Sequence, residues 1–211
     1  MPYNIEIIRK NEHKTSEWSG GTTTELYIYP VNSRYSYGDF KWRLSSAKVQ
    51  VESSTFTFLK GITRLIMVIE GELLLEHEGH HNALLRAFEQ DNFSGEWKTT
   101  SFGKVIDFNL MMAKGYSGKL ESISLNPCEI KDILLQNIVK DTEVFSPIIE
   151  AFYIVKGDIE IYVGINKKTN LSEGDLALVT RTKQEINSQV MIQSKSHEGS
   201  KIIKASIFCC E

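Results

Sequence analysis

Two segments of this chain follow one pattern, and that repeat constrains the fold more than any other feature. RLIMVIEGELLLE (64–76) and AFYIVKGDIEIYV (151–163) each run an apolar strand into a polar residue and a glycine. An acidic residue and a second apolar strand follow. The hairpin glycines, Gly71 and Gly157, stand 86 residues apart. Solenoid repeats recur at roughly 20–50 residues, so this period belongs to a larger unit, the size of a small β-barrel. Each hairpin leads into a further turn signal, FEQDNFSGEW in the first copy and LSEGDLALV in the second.

The rest of the chain agrees with a period of two. ELYIYP, FKWRLSSAKVQV, KVIDFNLMM and GDLALV are β-branched and aromatic runs bounded by Gly, Asn, Asp or Ser. Helix candidates are few: CEIKDILLQNIV (128–139) has apolar residues at 130, 133, 134 and 138, but the flanking Pro127 and its Ile and Val content also suit an irregular linker with a strand. The expectation is an all-β protein with little helix, in two halves, 1–125 and 126–211. A chain of 211 residues is long enough to bury a sizeable core.

Charge and composition remove several function classes. A net charge of -3 and a pI near 6.0 give no electrostatic case for nucleic acid or an anionic membrane surface. No apolar run approaches the length of about 18 residues that a membrane helix needs. The opening MPYNIEIIRK has no apolar core, so no secretory leader is expected. Cys128, Cys209 and Cys210 are odd in number and two are neighbours, which is no disulfide framework. The cytoplasm is the expected location.

A strand–Gly–acid–strand hairpin followed by a tight turn is the pattern of cupin barrels, and two copies make a bicupin. Cupins that bind a metal do so through His, His, Glu and a later His facing into the barrel. Here the Glu position, seven before Gly71, holds Arg64; the upstream positions hold Phe56 and Phe58, and the later region offers Lys98. A guanidinium is no ligand for a cation. In the second copy Glu150 stands seven before Gly157, but TEVFSP upstream supplies no imidazole. HEGHH (77–81) follows GELLLE at a predicted hairpin tip and reads as exposed turn residues. No metal and no cofactor are expected.

Strand alternation then nominates a polar face. Arg43, Ser45 and Ala47 share one side of their strand, opposite Trp42, Leu44 and Ser46. Asp107, Asn109 and Met111 share another, and Thr22 and Thr24 stand opposite Thr23 and Glu25. These groups could line one pocket; equally they could face solvent, or Arg43 and Asp107 could pair with each other. Trp18, Trp42 and Phe56 read more readily as core than as ligand platforms.

WSGGTTTEL (18–26), FKWRLSSAKV (40–49), FTFLKGITR (56–64), FSGE (93–96) and DFNLM (107–111) occur in an order and spacing that resembles the HutD/Ves family. The resemblance implies a metal-free bicupin with no established catalytic activity. For the histidine-utilisation branch it implies sensing or binding of a pathway intermediate, formiminoglutamate being the usual suggestion. The family's signature positions do not separate fold from pocket; because arginine replaces the metal carboxylate and polar residues alternate inward, the expected ligand-binding residues are Thr22, Thr24, Glu25, Arg43, Ser45, Phe56, Arg64, Asp107 and Asn109. Arg43 and Arg64 would meet a carboxylate, and Glu25 or Asp107 an amino or formimino nitrogen. WSGGTTTEL lacks the lysine of a phosphate loop and leads into a strand, so it reads as a Gly-Gly bend with Thr22 and Thr24 at the barrel mouth.

Two other readings stand beside this one. A metal-independent hydrolase or isomerase could use Asp107 or Glu25 as general base, although no catalytic residue is assigned and no Ser-His or Cys-His arrangement is present. A structural or protein-interaction bicupin could pair through sheet edges, which leaves a homodimer open. The expected partner is a small carboxylate, not nucleic acid or membrane.

Overall fold

The computed structural model describes residues 3–134, 149–164, 167–181 and 189–209. In chain order its strands begin with β1 (Tyr3–Ile8), β2 (Lys14–Trp18), β3 (Gly21–Tyr29), β4 (Trp42–Val49), β5 (Ser53–Thr55) and β6 (Ile62–Glu70). Next come β7 (Leu73–His77), β8 (Asn82–Leu85), β9 (Gln90–Ser94), β10 (Thr99–Phe102), β11 (Ile106–Ala113) and β12 (Tyr116–Leu125). The last are β13 (Ile130–Leu134), β14 (Ile149–Lys156), β15 (Ile159–Val163), β16 (Lys167–Leu171), β17 (Leu176–Arg181), β18 (Gln189–Ser194) and β19 (Ser200–Cys209). Short 3-10 turns at Lys10–Glu12 and Tyr35–Tyr37 are the helical elements among the described residues.

The chain forms two compact units, His13–Tyr116 and Met1–Glu12 with Ser117–Glu211. In the first unit a six-stranded sheet runs β2-β3-β4-β11-β6-β9 and a four-stranded sheet β5-β10-β7-β8. In the second, a five-stranded sheet runs β1-β17-β14-β19-β12 and a four-stranded sheet β13-β18-β15-β16. The repeat is visible strand for strand: β11-β6-β9 corresponds to β19-β14-β17, and β10-β7-β8 to β18-β15-β16. Both repeat hairpins turn on a glycine with positive φ, Gly71 at 92° and Gly157 at 80°, a conformation that side chains with a Cβ resist.

The expected halves met at residue 125, and the structure moves that boundary. β1 pairs antiparallel with β17, from Asn4 opposite Thr180 to Ile8 opposite Leu176, so the first residues join the second unit. Asp175 fixes this return. It accepts from the backbone amides of Lys10 (2.9 Å) and Ser172 (3.0 Å) and from Arg9 Nη1 (2.7 Å). Burial opposes its ionisation, but these donors outweigh it and hold the carboxyl below its ordinary range.

The helix candidate at 128–139 is also corrected. Residues 130–134 form β13, paired with β18; residues 135–139 lie outside the described residues, as do TEVFSP and Cys210. In the first unit Ile66, Val68, Leu73, Leu75 and Phe93 belong to one buried cluster that fills part of the space between the sheets. Full burial of each such side chain contributes about 1.5–3 kcal/mol. That apolar floor leaves the polar inward positions of β3, β4, β6 and β11 to line a cavity.

Candidate functional site

Register decides which side chains meet. β11 lies between β4 and β6, with Asp107 opposite Ala47 and Val68, Asn109 opposite Ser45 and Ile66, and Met111 opposite Arg43 and Arg64. Directly opposed residues project to the same face, so Arg43, Ser45, Arg64, Asp107 and Asn109 converge. They line a cavity of about 280 Å³ with Thr23, Tyr35, Phe56 and Trp18. This volume lies just below the usual range of ligand pockets, roughly 300–1,000 Å³, and suits a small metabolite.

The two arginines are held differently. Arg43 donates from Nε to Glu25 Oε2 (2.8 Å) and from Nη1 to Ser45 Oγ (3.0 Å), with its guanidinium 4.5 Å from the Tyr35 ring centre. It is a neutralised cation. Arg64, 4% exposed, donates from Nη2 to Asn109 Oδ1 (3.0 Å) and lies 4.4 Å from the Phe56 ring centre. Its Nε is buried without a partner, and among the described residues no carboxylate forms an ion pair with it. Burial lowers its pKa to about 10, so it stays charged at neutral pH.

Asp107, 2% exposed, completes the chain of contacts. Asn109 donates its amide to Asp107 Oδ1 at 2.5 Å. Burial pushes the Asp107 carboxyl up to about 7, against the pull of Arg64, the Asn109 amide and the Ala47 backbone N–H. The pocket therefore holds a buried cation and a carboxyl poised near neutrality, linked through Asn109 and not by a direct ion pair.

The structure brings together Arg43, Ser45, Phe56, Arg64, Asp107 and Asn109, and places Glu25 behind Arg43. Thr22 and Thr24 are turned the other way: they oppose Lys48 and Ser46 across β3 and β4, while Thr23 opposes Ala47 and lines the cavity. The alternation was legible, but its parity depended on the β3–β4 register. Arg43 and Asp107 do not pair; Glu25 takes that role. Trp42 is core, whereas Trp18 and Phe56 line the cavity. Tyr35 carried no sequence signal, because it sits in a turn. Ser101 of β10 also lines the cavity and could have been found from the alternation of that strand.

The corresponding place in the second unit carries its own paired charges. Glu150, the counterpart of Arg64 in the repeat, accepts from Ser206 Oγ (2.5 Å) and faces Lys204 Nζ (3.4 Å). Lys204 also donates to Glu121 (3.2 Å). A second correction concerns HEGHH. His77 is buried, not exposed: Nδ1 meets Thr99 Oγ1 (2.8 Å) and Nε2 meets Asp91 Oδ2 (2.9 Å).

Metal-binding cupins place imidazoles in the barrel interior. The cavity here is lined by two guanidiniums and no histidine, so its donor set does not fit a cation.

A family model described as HutD matches residues 10–197. Among solved structures, a conserved protein of unknown function from Pseudomonas aeruginosa PAO1 is 21% identical, with a TM-score of 0.74 over 97% of this chain and 98% of that one. HutD from Pseudomonas fluorescens SBW25 is 19% identical, with a TM-score of 0.64 over 96% and 98%. The bacterial pirin YhhW of Escherichia coli, solved with nickel(II), is 10% identical, with a TM-score of 0.66 over 96% and 98%. These likenesses establish the cupin fold.

Proposed function

The chain belongs to the HutD family, and from that premise we propose that it binds a small carboxylate-bearing metabolite, such as formiminoglutamate in histidine utilisation, in a cavity that holds no metal. The observation that carries this reading is Arg64: a buried guanidinium with an unpartnered Nε and, among the described residues, no carboxylate in direct ion-pair contact. An unpaired buried charge costs several kcal/mol, and an anionic ligand offsets that cost. Arg43 is already bound to Glu25 and Ser45, so it orients and walls the site while Arg64 takes the carboxylate. Asp107 and Asn109 then face the rest of the ligand, where a nitrogen would complete their hydrogen bonding.

The test is calorimetric titration and thermal melting with formate, glutamate, formiminoglutamate, urocanate and histidine. Formate is a useful minimal probe, being the condition named for the P. fluorescens HutD structure. One carboxylate should bind, raise the melting point, and lose at least about tenfold in affinity in Arg64→Gln, a charged hydrogen bond being worth about 1.5–3 kcal/mol. Equal binding by wild type and Arg64→Gln would sink the assignment.

One observation favours a second reading. A carboxyl raised to about 7 in a pocket is suited to general-base work. Turnover of one of these metabolites, abolished in Asp107→Asn with binding retained, would make the site an active site.

A further inference from the structure

HEGHH places its histidines where β7 turns into β8, and the turn aligns two of them. The His77 backbone amide donates to the His81 carbonyl (3.0 Å), so the strand ends are held side by side. The two imidazole centres are 4.6 Å apart. Asp91 arrives from β9, with Oδ2 2.9 Å from His77 Nε2 and Oδ1 3.0 Å from His81 Nε2. The ligand atoms of all three lie within 4.8 Å of one another.

We propose that His77, His81 and Asp91 form a binding site for a divalent transition ion of the zinc, nickel, cobalt and copper class, outside the barrel cavity. Two neutral imidazoles and one carboxylate are the donor set of such ions, and discriminate against magnesium and calcium, which take oxygen. Ligand atoms about 2.0–2.1 Å from a tetrahedral ion are spaced about 3.3 Å apart. The histidine-to-carboxylate spacings of 2.9–3.1 Å need open by only a few tenths of an ångström, and no pair of ligand atoms is more than 4.8 Å apart.

The surroundings orient the ligands as well. Thr99 Oγ1 lies 2.8 Å from His77 Nδ1 and 3.4 Å from the Trp97 carbonyl, so it can donate to that carbonyl while it accepts from His77 Nδ1–H. In that tautomer, which a metal ion would select, the Nε2 lone pair faces Asp91 and the ion bridges the two acceptors. A hydrogen bond that fixes the second ring nitrogen is the usual support of a histidine ligand. The His77 side chain is fully buried and His81 is 42% exposed, which gives a rigid inner ligand and a solvent-side entry. The bound ion would fasten the β7–β8 hairpin to β9. Nothing in this proposal depends on the cavity of Arg64.

Trp97 supplies the readout. Its ring lies 5.6 Å from His77 and 5.7 Å from His81, and stacks on His80 at 3.8 Å. Zinc(II) is titrated into the full chain by calorimetry, and nickel(II) is followed by quenching of tryptophan emission. One equivalent should bind, with Arg64→Gln and His80→Ala unchanged, and with His81→Ala and Asp91→Asn each weakened by at least about tenfold. Zinc should raise the melting point of wild type and not of His81→Ala. His81 is exposed enough for that variant to fold, so the test does not require substitution of buried His77. Failure of the wild type to bind one equivalent overturns the site, as does undiminished binding by His81→Ala or loss of binding in His80→Ala.

Discussion

Asn109 stands between Arg64 and Asp107 as a two-sided spacer, accepting from Arg64 Nη2 at 3.0 Å and donating to Asp107 Oδ1 at 2.5 Å. The buried cation and the buried carboxyl are thus joined through a neutral amide instead of neutralising each other directly. Asn109→Ala removes both bonds at once and leaves two buried polar groups short of a partner. Each such loss costs about 1–3 kcal/mol, so urea unfolding should show a drop of about 2–6 kcal/mol. Asn109→Gln, which keeps both functions on a longer stem, should recover part of it. A change below about 0.5 kcal/mol in the alanine variant would mean that water satisfies both neighbours and that the spacer role is wrong.

The Asp107 carboxyl gives the fold a distinctive pH dependence. Burial raises its pKa from 3.8 to about 7, so the folded state binds this proton more tightly than the unfolded chain does. Its contribution to stability is fully present below pH 3.8 and is lost as pH rises through about 7, up to about 4 kcal/mol in all. Asp107→Asn keeps an acceptor oxygen for the Asn109 amide and cannot ionise. The melting point of the variant relative to wild type should therefore climb between pH 4 and pH 8. A constant difference across that range would show that Asp107 titrates at its ordinary value.

The same carboxyl makes binding report the chemistry of the ligand. A simple anion on Arg64 is repelled when Asp107 ionises, so its affinity should fall as pH rises through about 7. A ligand that also carries a cationic nitrogen against Asp107 should instead bind more tightly as that group ionises. Calorimetry with formate and with formiminoglutamate at pH 6 and pH 8 should give opposite trends. Parallel trends would remove Asp107 from contact with the nitrogen.

The repeat, the strand periodicity and the motifs made the all-β bicupin legible in the sequence, because hairpin glycines and period-two runs are local signals. Six of the nine expected site residues line one cavity, since alternation along β4 and β11 fixes their faces once the strands are placed. Thr22 and Thr24 went to the wrong side for a reason no local pattern contains. The parity of β3 is set by its pairing with β4, where Thr23 opposes Ala47. The burial of His77 was hidden for a similar reason: it depends on Phe93 of β9 and on Trp97 in the turn that follows, 4.6 and 5.6 Å from its ring. The course of β1 was hidden too, because a strand that crosses to the other unit leaves no mark on its own sequence.

The paired glycines of WSGGTTTEL offer a contrast that tests how β3 is seated. Gly20 lies in the hairpin turn, and a Cβ there would meet the far edge of the Trp18 ring at 2.1 Å. Trp18 is 38% exposed and can swing away. Gly21 opens β3 at a φ of 150°, and a Cβ there would meet the Lys48 backbone carbonyl oxygen at 2.0 Å. That oxygen belongs to β4 and cannot move without shifting the strand that carries Arg43 and Ser45. Gly21→Ala should therefore cost about 2–4 kcal/mol, and Gly20→Ala less than about 1 kcal/mol. Gly21→Ala should also weaken carboxylate binding, by displacing β3 and the Glu25 that holds Arg43. Denaturant unfolding of the two single variants decides it: equal costs would mean that β3 slides freely against β4, and that its register does not position the pocket.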